Sequence, residues 1–221
     1  MLLHLLRHTG FNAARRGATF VGVGSIAHTT TFATLNLPAG TQLGDIAIVV
    51  TEYDGSAAGT TIAASTGWAK THRTWDGVYD CTIHLKALDA TDISNGNVLI
   101  GNTQASGYSS VAVYRNAAVA TLKTDFGTGA NVGPTLALTG FARSAGALGV
   151  IAIVSDRDPG VTPTAQQGWV VRTSGNRSAL WSSAIADVLD ARLYVSGATI
   201  DFAAMQGASN FEQHGWVVEL T

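Results

Sequence analysis

Apolar and polar residues alternate with a period of two along most of the chain. In "YDCTIHLKAL" the residues Tyr79, Cys81, Ile83, Leu85 and Ala87 fall on one side, and Asp80, Thr82, His84 and Lys86 on the other. That is the pattern of a half-buried antiparallel strand. "TFATLNL" sets Phe32, Leu35 and Leu37 among small polar residues, and "DIAIVVTEY" is a β-branched run bounded by Gly44 and Gly55. "SSVAVYR", "TLALTG", "LGVIAIVS", "GWVVRT", "ATIDFAAM" and "GWVVEL" follow the same grammar. "LWSSAIADVLDARL" also fits a short helix, but its counterpart "YDCTIHLKALDATD" alternates cleanly, so a strand is expected for both. Between these runs lie "DGSAAG", "SNGN", "GTGAN", "DPG" and "TSGN", residues that favour turns. Short strands with turns at this spacing predict sandwiches or jelly rolls rather than alternating β and α elements.

The pattern is also written twice. At an offset of 101, Leu35 meets Leu136, Leu37 meets Leu138, Gly67–Trp68 meets Gly168–Trp169, "LDA" at 88–90 meets "LDA" at 189–191, and Gly96 meets Gly197. Near the join the offset drifts, and "GDIAIVV" at 44–50 best matches "GALGVIA" at 146–152. Identities sharing one offset over so long a stretch are the mark of an internal duplication. The expected fold is all-β: two tandem, internally duplicated antiparallel β-sandwich units of jelly-roll type. Unit one spans 18–116 and unit two 117–221, packed either separately or as one pseudo-symmetric domain. An extended arm, 1–17, precedes them.

Composition adds that 46% of the 221 residues are apolar and only 13% charged, against roughly 25% charged in an average soluble domain. A surface so poor in charge is weakly protected against self-association, which suggests that neighbours cover much of it. The net charge is -2 and the pI about 6.3, without the basic excess of a nucleic-acid binder. Cys81 is the only cysteine, so no disulfide framework or four-cysteine metal site can form. No apolar run is long enough to span a membrane. The opening leucine cluster is shorter than the core of a signal peptide, so export by that route is not expected.

The search for chemistry returns little. No G-x-S-x-G occurs, and "GVGSIA" lacks both the third glycine and the helix of a phosphate loop. Cys81 and His84 are three apart on a strand and face opposite sides, so they cannot share an ion; a buried Cys81 and a surface His84 are expected. Glu52 and Asp54, and likewise Asp156 and Asp158, could offer oxygens to calcium, but they read as solvated turn residues. No metal or cofactor is expected. Among the aromatic residues, Trp68, Trp75, Tyr79, Trp169 and Trp181 could stack on sugar rings. Trp68 and Trp169 are repeated and read as core anchors, as does Trp216 in the last strand. Trp75 lies in "THRTWDGVY", read as a polar turn region, and its offset counterpart is Asn176. With Tyr79, His72 and Arg73 it forms the candidate glycan contact.

The arm carries Leu2, Leu3, Leu5, Leu6 and Phe11 with Arg7, Arg15 and Arg16, and no acid. Such a segment cannot bury its leucines by itself, and these residues are the candidate partner-docking set.

The order of "TFVGVGS", "LPAGTQLGD" before an apolar strand, "GW" after a small-residue loop, "ALDATDI" before another strand, and the closing "FEQHGWVVELT" resembles a family of small β-sandwich structural proteins of tailed bacteriophages. The resemblance covers about residues 19–221. It implies a non-enzymatic virion component without catalytic residues, in a fibre, spike, tail-tip or decoration role. Joined to the reading of the arm, which lies outside the resemblance, the expectation is a tail-tip, fibre or spike subunit docking by its arm and contacting the host surface. The alternatives are a capsid decoration or head-fibre protein, or a carbohydrate-binding adhesin. The partners expected from the whole reading are copies of the chain itself (a trimer first), other virion proteins and host polysaccharide, with no nucleic acid and no membrane insertion.

Overall fold

A computed structural model describes residues 17–28, 32–54, 61–62, 67–75, 79–101, 107–128, 135–137, 142–156, 163–165, 169–177, 181–190, 193–194, 199–202 and 213–221. The first half holds β1 (Thr19–His28), β2 (Phe32–Asn36), β3 (Ile46–Asp54), β4 (Thr61–Ile62), β5 (Ala69–Trp75), β6 (Tyr79–Ala87), α1 (Ala90–Asn95), β7 (Asn97–Gly101) and β8 (Gly107–Arg115). The second holds β9 (Ala120–Thr128), β10 (Thr135–Ala137), β11 (Gly149–Asp156), β12 (Pro163–Ala165), β13 (Val170–Arg177), β14 (Trp181–Val188), β15 (Thr199–Phe202) and β16 (Gln213–Leu220). The chain is therefore all-β apart from one short helix, as the alternation predicts. "LWSSAIADV" is a strand, whereas "ATDISN", which overlaps the end of "ALDATDI", is helical.

The halves repeat in wiring. The large sheet of the first runs β1-β8-β3-β6-β5, and that of the second, from its other edge, β9-β16-β11-β14-β13. The small sheets run β2-β7-β4 and β10-β15-β12. Counting strands from the start of each half gives 1-8-3-6-5 and 2-7-4 in both, and every pairing is antiparallel.

The two large sheets share one apolar core. Ile46, Ile48, Val50, Cys81, Ile83, Ala112 and Tyr114 of the first half pack with Ile151, Ile153, Ile185, Trp216, Val218 and Leu220 of the second. The opposite face of the first large sheet presents Ala47, Val49, Val111 and Val113 to Leu35, Val98 and Ile100 of the small sheet, sealed by Leu88. A strand covered on both faces has no solvated side. His84 and Lys86, on the face away from Cys81, are therefore only 2% and 8% exposed. The expectation of a half-buried strand with a surface His84 is corrected accordingly.

Register shows how the halves correspond. The row Ile83–Val50–Ser110 matches Ile185–Ile153–Trp216, and the row Leu85–Ile48–Ala112 matches Asp187–Ile151–Val218. Each half thus turns the same face into the shared core, an arrangement with pseudo-twofold character. Ser110 on one side and Trp216 on the other show that packing at the seam is complementary rather than symmetric. The "LDA" echo does not keep this register: Leu88 packs toward the small sheet, while Leu189 packs against the shared core. A bulge between Val171 and Thr173 in β13 accounts for one residue of slippage.

Candidate functional site

The motifs that stood out in the sequence resolve into structural joints. In "LPAGTQLGD", Gly40 and Gly44 have φ of 85° and 82°, a left-handed conformation that glycine adopts without strain. The loop they shape buries Asp45, which accepts from the Gln42 amide at 2.8 Å. Arg115, at the end of β8, grips Asp45 with two hydrogen bonds, Nε to Oδ1 at 2.8 Å and Nη2 to Oδ2 at 2.7 Å, and reaches the Gly40 carbonyl at 2.7 Å. Paired donors on one carboxylate make a strong, directional contact.

"ALDATDI" is a helix start. Asp89 accepts from the Thr91 and Asp92 amides, and Asp92 accepts from the Asp89 amide at 2.9 Å, the reciprocal capping box. Lys86 Nζ bridges Asp89 and Asp92 at 2.7 and 2.8 Å and lies 5.8 Å from the centre of the Trp68 ring. Burial works against the Lys86 ammonium, but the two carboxylates outweigh it and hold its pKa above the ordinary value. Asp89 is drawn down to about 2, first by Lys86 and then by the Asp92 amide. Trp68 also meets His84 edge to face at 6.5 Å. Gly67, with φ of 88°, turns the chain just before it.

A third polar joint lies in the seam between the halves. Asp187, wholly buried, accepts from Arg172 Nε at 2.7 Å and Nη2 at 2.9 Å. The Arg172 guanidinium lies 4.6 Å from the centre of the Phe20 ring, on the other half. The Tyr114 hydroxyl lies beside Asp187 without meeting the geometry of a formed hydrogen bond. Burial pushes the Asp187 carboxyl up and Arg172 opposes it, leaving it raised. Burial likewise drives Tyr114 well up, reinforced by Asp187.

Of the candidate glycan contacts, His72, Arg73 and Trp75 lie on β5, an edge strand, opposite Thr82, Cys81 and Tyr79 of β6. Trp75 and Tyr79 thus close the β5–β6 hairpin as its last paired residues, and Trp75 belongs to a strand rather than to a turn. The side chains of all four lie outside the described residues, as does that of Trp181. Trp169 is buried and meets Tyr194 edge to face, Trp216 is fully buried, and Trp68 is half-buried against the first half's inner core. The docking residues Leu2, Leu3, Leu5, Leu6, Arg7, Phe11, Arg15 and Arg16 lie outside the described residues.

Glu52 is 1% exposed inside β3, opposite Cys81 and Tyr108, so it is not a solvated turn residue. Glu52 falls on the same face of β3 as Ile46, Ile48 and Val50, the face turned to the shared core. The side chains of Asp54, Asp156 and Asp158 lie outside the described residues. Among the described residues no three His, Cys, Asp or Glu side chains group to hold a metal ion, and no helix is long and apolar enough to cross a membrane.

Sequence reasoning missed Asp45, Arg115, Arg172 and Asp187, which pair with residues farther along the chain, and Lys86 and Asp92, which pair locally but whose burial it did not anticipate. The one available signal was "GD" before an apolar strand, where a charge at a strand entrance calls for a partner.

An opening lies in the seam. At the end of the large sheets where β3 and β5 begin and β6 ends, a cleft of about 190 Å³ lies between the halves. Its walls include Ile46, Ala69, Leu85 and Ala87 of the first half, with Val119 and Ala120 leading into the second. No protein-family model matches the chain, and neither a curated protein nor a solved structure does so.

Proposed function

We propose that this chain is a structural subunit of a tailed-bacteriophage virion, a tail-tip, fibre or spike component whose jelly-roll-like halves form a rigid display body. The arm, residues 1–17, docks the body to another virion protein, and the assembled form is a homo-oligomer. The observation that carries this reading is the shared core: two halves of one wiring turn the same face inward, leaving a single stiff block. Two further features support it. Two of the motifs behind the phage resemblance, "LPAGTQLGD" and "ALDATDI", serve as joints between loops and strands, and the buried carboxylates Asp45, Asp92 and Asp187 are each engaged by an Arg or Lys.

The test is deletion of residues 1–17 in the phage genome that encodes the chain. Particles should form lacking this subunit, as read by immunogold labelling and mass spectrometry of purified virions. Full incorporation of the truncated chain would remove the anchor role. Absence of the full-length chain from purified virions would remove the virion assignment.

A second reading, glycan binding, draws on the Trp75–Tyr79 pair at the tip of an edge hairpin. An aromatic pair there, near Arg73 and His72 in sequence, is suited to a host polysaccharide. Binding on a glycan array that survives Trp75→Ala would exclude this site.

A further inference from the structure

The cleft at the seam has a counterpart related by the pseudo-twofold character of the molecule, and the two differ in how they are filled. The residues Ala118 and Val119 lead into β9 as Gly17 and Ala18 lead into β1. Around Gly17 and Ala18 the packing is closed. Ala18 is buried, its amide reaches the Leu148 carbonyl at 3.3 Å, and Gly17 lies so close to the Leu189 carbonyl that a Cβ would not fit. Leu189 packs against the shared core there. Two residues beyond the matched pair Leu85 and Asp187, the position of Leu189 is held in the first half by Ala87, a wall of the cleft. The gap in the seam is thus a missing leucine-sized group. The side chains around it are apolar but for Lys86, whose charge is engaged by Asp89 and Asp92, polar atoms share its surface, and Val119 is left 50% exposed beside it.

The chain carries leucines within reach. Phe20, Tyr114, Ile46 and Ala87 lie side by side across β1, β8, β3 and β6. Three strand spacings therefore separate the start of β1 from the cleft, roughly 14 Å at about 4.8 Å each. Both lie at the same end of the sheet. The segment 1–16 spans up to roughly 50 Å when extended, so the distance is easily bridged. Being tethered, it also competes at high effective concentration against any free partner.

We infer that the chain's own N-terminal arm docks in this cleft, with a side chain from the group Leu2, Leu3, Leu5 and Leu6 filling the space that Leu189 fills in the other half. The inference stands apart from the virion assignment. It concerns the chain before any partner engages the arm.

A cysteine at Leu5 paired with one at Val119 tests it; Cys81 is buried and does not compete. Under mild oxidation at low protein concentration, L5C/V119C should form an intramolecular disulfide. It should form at least tenfold faster than in a control pair, L5C/T34C, whose second cysteine sits on the outward side of β2. Replacing Leu2, Leu3 and Leu6 by serine in the L5C/V119C chain should remove that advantage. Equal rates for the two pairs would mean a roaming arm and would overturn the inference. A concentration-dependent intermolecular disulfide would assign the cleft to a second copy, overturning it equally. Cross-linking that fails while the arm deletion still blocks incorporation would sink the cleft and leave the anchor standing.

Discussion

Arg172 holds Asp187 by two hydrogen bonds, at 2.7 and 2.9 Å, between neighbouring strands of the second half and directly over Phe20 of the first. The matched position in the first half is Leu85, an apolar residue facing the same shared core. A carboxylate in this place is tolerated only because Arg172 answers it.

Removing one partner should therefore cost far more than removing both. Arg172→Ala leaves a buried, unpaired carboxylate and should lower stability by about 3–5 kcal/mol. The double variant R172M/D187L, which restores the apolar character of the matched position, should lie within about 1–2 kcal/mol of the parent or above it. Urea unfolding of the three proteins measures this, and a double variant as unstable as Arg172→Ala would show that the pair itself carries the seam.

Two aspartates should respond to pH in opposite senses. Asp187 has its pKa raised from 3.8 by burial. The folded state therefore favours its protonated form, and its contribution is full below 3.8 and is lost as pH rises through the folded value. Asp187→Asn should accordingly gain on the parent as pH rises. Asp89 is lowered from 3.8 to about 2 by Lys86 and the Asp92 amide. Its contribution is present above 3.8 and is lost as pH falls toward 2. Thermal melts of the parent, D187N and D89N across this range should show the two opposite trends.

Asp89 also caps α1, so Asp89→Ala at neutral pH should cost about 0.5–2 kcal/mol. Asp89→Ser, which keeps an acceptor for the Thr91 and Asp92 amides but loses Lys86, should recover part of that loss. Chemical denaturation of both variants separates the cap from the ion pair.

Trp216 is, among the described residues, the largest fully buried side chain and stands opposite Ile153 in the shared core. Trp216→Ala should cost about 3–5 kcal/mol through the cavity it leaves. Because the cavity opens between the halves, binding of a hydrophobic dye should rise before global unfolding begins.

Gly24 of β1 faces the Asn36 carbonyl too closely for any Cβ, and a Cβ on Gly22 would lie 2.7 Å from the Pro38 ring carbon. Gly24→Ala should therefore destabilise by about 1–3 kcal/mol through overpacking. Calorimetry checks it; an unchanged melting temperature would mean that β1 and β2 separate easily.

These glycines show what a sequence can and cannot reveal. "GVGSIA" invites comparison with a phosphate loop, yet it is a strand whose missing side chains admit a neighbouring backbone. The alternation in "YDCTIHLKA" correctly marked a strand and placed Cys81, Ile83 and Leu85 on a common face. It could not tell that the opposite face would also be covered, because His84, Lys86 and Thr82 are polar and their burial depends on contacts made far along the chain. The "GW" echo pointed to the repeated wiring. The "LDA" echo was a coincidence of letters, since a one-residue slip in a strand sends the leucine to the other side. The six-residue helix was hidden because its signal, a reciprocal cap by two aspartates, is shorter than any period.

Joining both halves in one polypeptide has a further consequence for how the seam can change. In a dimer of identical chains every substitution strikes both partners at once, so a buried acid on the contact face would appear twice. Here a mutation lands on one side only. That freedom allows an aspartate opposite a tyrosine, and a tryptophan in one half where the other keeps a serine, while the outward surfaces diverge under separate selection.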